Sequence, residues 1–243
     1  MRHALLALLL LSAPAGATGL YEGSVIVTGT DARSRPAGLG AALAQVLAKV
    51  SGNPALLDTP QVAALAPAAP GLVDSLAYLD RMSDMPLRDE QGTRDRPYDL
   101  VVRFNPSLLD AMLQGLGETP WRTRPPLAVF LQVEPRGGIP TLLHADTPAD
   151  DRHRAALLDA ADRAGLQVAL PLLAPGSAPP LPLPDLQLRG TLAWQEGQGW
   201  AGTFTLPWRG RDRTWSVSGV GFDAAYRAAM QGAARVLSGH EVD

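Results

Sequence analysis

Apolar residues recur along this chain in two periods, and the switches between them mark its elements. Residues 20–29, Leu-Tyr-Glu-Gly-Ser-Val-Ile-Val-Thr-Gly, have the aromatic and β-branched content of a strand bounded by glycine. After the polar turn at residues 31–35 and Pro36, the positions Leu39, Ala42, Leu43, Val46, Leu47 and Val50 follow helical spacing. Ser51-Gly52-Asn53-Pro54 stops that helix, with a glycine for the left-handed cap and a proline that cannot continue it. Thr59-Pro60 supplies an N-cap and a first-turn proline for a short second helix through Val62 and Leu65. Residues 73–82 fit helix and strand equally, whereas residues 98–104, Tyr-Asp-Leu-Val-Val-Arg-Phe, read as a strand. The charged stretch 84–97 between them suits a hairpin loop. Pro106 and Ser107 open a helix whose expected buried stripe is Leu108, Leu109, Met112 and Leu116.

Three prolines in residues 118–126 mark a boundary. Beyond it the pattern predicts a strand at 127–133, a turn at Arg136-Gly137-Gly138, a helix at about 150–164 and a strand at 166–172. Residues 171–185 are rich in proline and read as extended. Period-two alternation then places Leu186, Leu188, Leu192 and Trp194, next Trp200, Phe204, Leu206 and Trp208, and finally Trp215 and Val217 on one face of an antiparallel meander. Gly190, Gly202 and Gly219 are expected to make room for the rings. A closing helix, residues 223–237, offers Tyr226, Ala229, Met230, Ala233 and Leu237 to cover that face. The expected fold is α+β in two small units: strand-helix-helix-hairpin-helix over residues 18–117, and strand-helix-strand followed by the meander and its C-terminal helix over 127–243. Residues 118–126 are the linker.

Composition bounds the function. The 243 residues carry 21 basic and 24 acidic side chains with a pI near 5.8, which argues against a nucleic-acid platform. Arg209, Arg211 and Arg213 form a basic turn, but Asp212 interrupts it. The chain has no cysteine, so thiolate chemistry, Cys-ligated zinc, iron–sulfur clusters and disulfides are all excluded. Met1-Arg2-His3, the Ala/Leu run at residues 4–11 and Ala15-Gly16-Ala17 have the layout of a signal peptide over residues 1–17. That run is too short to span a bilayer, for which roughly 20 apolar residues are needed. Cleavage would leave a chain starting near Thr18, periplasmic or secreted, with no transmembrane segment. Lys49 is the only lysine, against twenty arginines, as in the proteins of GC-rich bacteria.

Four stretches carry a family resemblance: Leu20-Tyr21; residues 41–53, ending Val-Ser-Gly-Asn; residues 100–106, ending Phe-Asn-Pro; and Trp121 through Arg124-Pro125-Pro126-Leu127. In that order the chain resembles the exported proteobacterial family named domain of unknown function 2066, over about residues 20–237. Members of that family usually carry a further helical segment before the meander, where residues 175–185 stand here. The resemblance implies an envelope protein without assigned activity, and by analogy a relation to periplasmic accessory modules of the curli-secretion and Tol type.

Candidate chemistry is sparse. His144, Asp146, Asp150, Asp151 and His153 lie within ten residues, and imidazole with carboxylate suits a divalent metal. The competing reading makes Asp150 or Asp151 an N-cap acceptor and turns His153 outward from the first helical turn. Residues 219–224, Gly-Val-Gly-Phe-Asp-Ala, match a variant dinucleotide fingerprint in letters, but the chain ends too soon for a following strand and acidic residue. Trp194, Trp200 and Trp208 could stack on a glycan, or pack in the core with Trp215. Pro179-Pro180-Leu181-Pro182 fits a rigid spacer. His240 is expected in a frayed tail. The sequence therefore predicts a non-catalytic periplasmic or envelope accessory protein without a cofactor, binding an envelope protein partner. Glycan binding through the tryptophans and metal-dependent hydrolysis around His144 and His153 are the alternatives.

Overall fold

The computed structural model describes residues 19–83, 96–173 and 183–240. The signal-peptide segment, most of the charged stretch 84–97 and the Pro-x-x-Pro spacer lie outside the described residues.

Strand β1 (Glu22–Thr28) leads into helix α1 (Arg35–Ser51), and all six apolar positions read for that helix are buried. Gly52 adopts φ 74° and its N–H closes the helix on Ala48 O, a conformation that costs glycine nothing. A 3-10 turn, Pro54–Asp58, precedes the short α2 (Pro60–Ala64), where Thr59 accepts a hydrogen bond from the Val62 N–H as the N-cap reading requires. The ambiguous segment is a strand, β2 (Val73–Asp80), because it pairs antiparallel with β3 (Pro97–Phe104) and places Leu76 and Tyr78 on the same face as Val102 and Leu100. Sheet order is β1-β3-β2, all antiparallel. Helix α3 (Pro106–Gly115) is capped by Asn105, whose side chain accepts from the Ser107 and Leu108 N–H groups. Its expected stripe is corrected by packing: Leu109 and Leu113, one turn apart, are the buried pair, Met112 and Leu116 are half-buried, and Leu108 is exposed.

The second sheet is built on β4 (Leu127–Glu134), which pairs parallel with β6 (Val168–Ala169) and with β7 (Gln187–Gln195). β8 (Gly199–Trp208) and β9 (Arg211–Val220) extend it as an antiparallel meander. The strand expected over residues 166–172 shrinks to two residues because β4's outer edge is shared. Val168 and Ala169 pair with its start, whereas β5 (Thr141–Leu142) pairs with its end, at Val133 and Gln132. Helices α4 (Asp151–Ala164) and α5 (Phe222–Ser238) cover one face, and α4 also touches α1. The fold is thus α+β, with an antiparallel meander under a C-terminal helix.

Phe204, Leu206, Leu188 and Leu192 are buried under α5 with Trp200, while Trp194, Trp208 and Trp215 are half-buried against the same core. Gly190 and Gly202 lie against the Phe204 ring, not against an indole. Gly219 makes room for no ring: it has φ 69° in the bulge where β9 slips register between Trp200 and Gly202. Among the described residues, buried apolar side chains form two clusters, one from Leu20 to Leu113 and the other from Leu127 to Leu237.

Candidate functional site

The two clusters meet where the carboxyl ends of α1, α4 and α5 converge, and residues 118–126 lie in that junction. Helix carboxyl ends carry unpaired carbonyls and partial negative charge, so they attract cations and N–H donors. Arg124 supplies both. Its Nη1 donates to Ala164 O and Gly165 O of α4, at 3.0 and 3.1 Å. Nη2 donates to Lys49 O and Val50 O of α1, and Nε to Trp121 O, while the guanidinium stacks 4.1 Å from the Trp121 ring centroid. Burial pulls its pKa down to about 10, which leaves it charged at neutral pH. Arg122 pairs with Asp110 of α3, and the Trp121 N–H donates to Val50 O at 2.8 Å. The proline-rich linker is therefore clamped to both units.

Lys49 and Arg163 close a second contact. Lys49 Nζ donates to Glu22 O at 3.2 Å and pairs with Asp162 at 3.4 Å, while Arg163 Nη1 donates to Ser24 O at 3.3 Å. Those carbonyls belong to β1, so cations from α1 and α4 occupy the outer edge of the first sheet. Burial lowers the Lys49 pKa against the opposing pull of Asp162. The sequence carries a signal for this residue, since a lone lysine three positions after Val46 falls on the apolar stripe of α1.

His240 is not frayed. Its Nδ1 lies 2.8 Å from Ser238 Oγ and its Nε2 2.9 Å from Glu118 Oε2, and Asn53 donates to the same carboxylate at 2.7 Å. Hydroxyl, imidazole and carboxylate in series are the parts of a nucleophile–base relay. Here they are set among the wrong dipoles: Ser238 Oγ donates to Gly52 O at 3.0 Å and Arg235 O at 3.3 Å, at two helix carboxyl ends. Carbonyl oxygens oppose an alkoxide, whereas stabilising an oxyanion takes N–H groups. The Gly239 and His240 N–H groups bond back to Val236 O and Arg235 O, so neither is available. The series acts as a clasp between α1, α5 and the linker. No periodicity points to it, because Glu118 lies 120 residues before Ser238 in sequence.

Of the metal candidates the structure brings only His144 and Asp150 together, with Nδ1 and Oδ2 3.8 Å apart, and ties the others up in separate contacts. The Asp146 carboxylate accepts from the Leu173 N–H at 2.8 Å, and Asp150 accepts from the His144 N–H at 3.0 Å instead of capping α4, although it occupies the N-cap position. His153 turns inward, correcting the outward reading: its Nδ1 is 2.6 Å from the Tyr226 hydroxyl, and its ring packs on Trp200, Phe222 and Tyr226. Burial lowers the His153 pKa and raises that of Tyr226, so both are neutral, the phenol donates and Nδ1 accepts. Among the described residues no group of three or more His, Asp or Glu side chains is placed to hold a metal ion. The glycine-rich letters at 219–224 join edge strand β9 to α5, with only antiparallel pairing beside them, so they do not form a dinucleotide turn. Trp194, Trp200 and Trp208 all face the covered side of their sheet.

The first unit matches a catalogued family model. Residues 15–122 fit Domain of unknown function (DUF8605). The DUF8605 match ends at Arg122, inside the linker and two residues before Arg124, so it takes in the first sheet with its helices and none of the second. A search of curated proteins and a search of solved structures each return no match. Among the described residues no helix is long and apolar enough to cross a membrane.

Proposed function

We propose that this protein is a non-catalytic accessory module of the bacterial envelope, exported by its amino-terminal segment, which docks a protein partner on the open face of the β1-β3-β2 sheet. One observation carries the reading. α1 covers one side of this sheet, and on the other Ile26 and Leu79, paired on either side of Asp99, are 58% and 56% exposed. Val101 and Ala77 continue the patch. Isolated exposed apolar side chains are ordinary, but Ile26, Val101, Ala77 and Leu79 share one face of three strands, with Asp99 and Ser24 set among them and Glu22, Arg103 and Ser75 at the rim, and this mixture of apolar and polar side chains has the make-up of a protein contact. The resemblance to domain of unknown function 2066 and the signal-peptide layout of residues 1–17 support the envelope placement. Two features weigh against hydrolysis: Ser238 sits among carbonyls, and the Tyr226 phenol occupies His153 Nδ1.

The test is chemical cross-linking in envelope preparations with wild type and with the double variant Ile26→Arg/Leu79→Arg. Partners captured by wild type should be lost from the double variant and kept by Arg189→Glu, on the open face of the other sheet. An unchanged capture pattern in the double variant sinks the proposal.

A further inference from the structure

Helices α1, α4 and α5 leave a cavity of about 220 Å³ between them at the junction. Much of its wall is apolar, with Val25, Leu57, Ala160, Ala164 and Ala234 contributing. Three cations also line it, one from each helix: Lys49, Arg163 and Arg227. Among the described residues no carboxylate lines the cavity. The charges there are incompletely answered. The Lys49 side chain is only 3% exposed, yet its carboxylate partner, Asp162, is 75% exposed. The solvation lost by a buried ammonium exceeds what so exposed a carboxylate returns. Arg163 pairs with Asp159 at 2.7 Å, whereas Arg227 has no partner among the described residues.

We propose that this cavity binds a small organic monocarboxylate with an apolar body, its carboxylate met by Lys49, Arg163 and Arg227 and its hydrocarbon by the alanine-lined wall. Size sets the class. A cavity of about 150 Å³ admits benzene, and drug-sized ligands need about 300 Å³ or more. The volume here therefore suits benzoate or hexanoate. The charge excludes a neutral hydrocarbon as the preferred guest, and the apolar wall excludes a fully hydrated anion such as inorganic phosphate. Both halves of the chain contribute to the wall, so this ligand would bind across the two units.

The single lysine makes the test direct. In protein labelled with ¹³C- and ¹⁵N-lysine, Lys49 gives the chain's only lysine signal. Benzoate and hexanoate should move it saturably, while benzyl alcohol and inorganic phosphate bind at least about tenfold more weakly. By titration calorimetry, Arg227→Ala, which alters an exposed side chain and should leave thermal unfolding unchanged, weakens benzoate binding about tenfold, and Lys49→Met weakens it further. The proposal is overturned if benzoate leaves the lysine signal unmoved. It fails equally if phosphate or benzyl alcohol binds as tightly as benzoate, or if folded Arg227→Ala binds benzoate like wild type.

Discussion

Single residues in this protein show how burial sets charge. His153 is held neutral because its ring is packed among aromatic side chains and Nδ1 takes the Tyr226 hydroxyl. A histidine whose folded pKa lies below its ordinary 6.5 binds fewer protons folded than unfolded. Its contribution is complete above pH 6.5 and is lost as pH falls towards the folded value. Urea denaturation from pH 7.5 to 5 should therefore show stability falling with acid, and His153→Phe should flatten that slope; equal slopes would contradict the account. Lys49 has the same sign at the alkaline end: its folded pKa lies below 10.5, so stability rises as pH climbs through that value towards 10.5. Asp162→Asn should lower the Lys49 pKa further, as read from its ¹³C titration. Because Asp162 is largely exposed, the accompanying loss of stability should stay under about 1 kcal/mol.

At the scale of elements, packing overrides local preference. Gly232 lies within α5, where replacing glycine by alanine ordinarily gains about 1 kcal/mol. Here a Cβ would fall inside the indole of Trp215, whose Nε1 donates to Ala228 O at 3.0 Å. Overpacking of this kind costs about 1–3 kcal/mol, so Gly232→Ala should lower stability in chemical denaturation by about 1–2 kcal/mol. In the background of Trp215→Val, which removes the ring, the same change should become favourable. The identity of β2 follows the same logic. Its sequence is compatible with either element, and the hydrogen bonds that β3 offers make it a strand.

For the whole molecule the question is what joins the two cores, and the structure's main answer is Arg124. Arg124→Met leaves up to four carbonyls of α1 and α4 without this donor, and at about 1–3 kcal/mol for each buried group left unsatisfied a total loss near 3 kcal/mol is expected. Calorimetry should then show one unfolding transition in wild type and two in the variant. Arg124→Lys should behave like the methionine variant, since an ammonium lacks the fork that spans two helices. Ser238→Ala removes the hydroxyl that Gly52 O, Arg235 O and His240 Nδ1 share in the clasp and should cost about 1–2 kcal/mol. If the serine is structural, wild type will also resist a fluorophosphonate probe; stoichiometric labelling of Ser238 would establish a working relay.

Alternation of period two and period 3.6 settled where most elements lie in this protein, because an apolar stripe has one stable use in water, which is to face a core. It placed α1, β3, the meander and α5, and it placed the tryptophans on the covered face. Which way His153 turns, how β4's edge is divided, and the meeting of Lys49, Arg124, Glu118, Ser238 and His240 were decided only in the folded chain. Those outcomes depend on carbonyls and rings brought together from distant segments. A side chain's partner at a helix end is fixed by which other helix ends there, and no local pattern of residues encodes that.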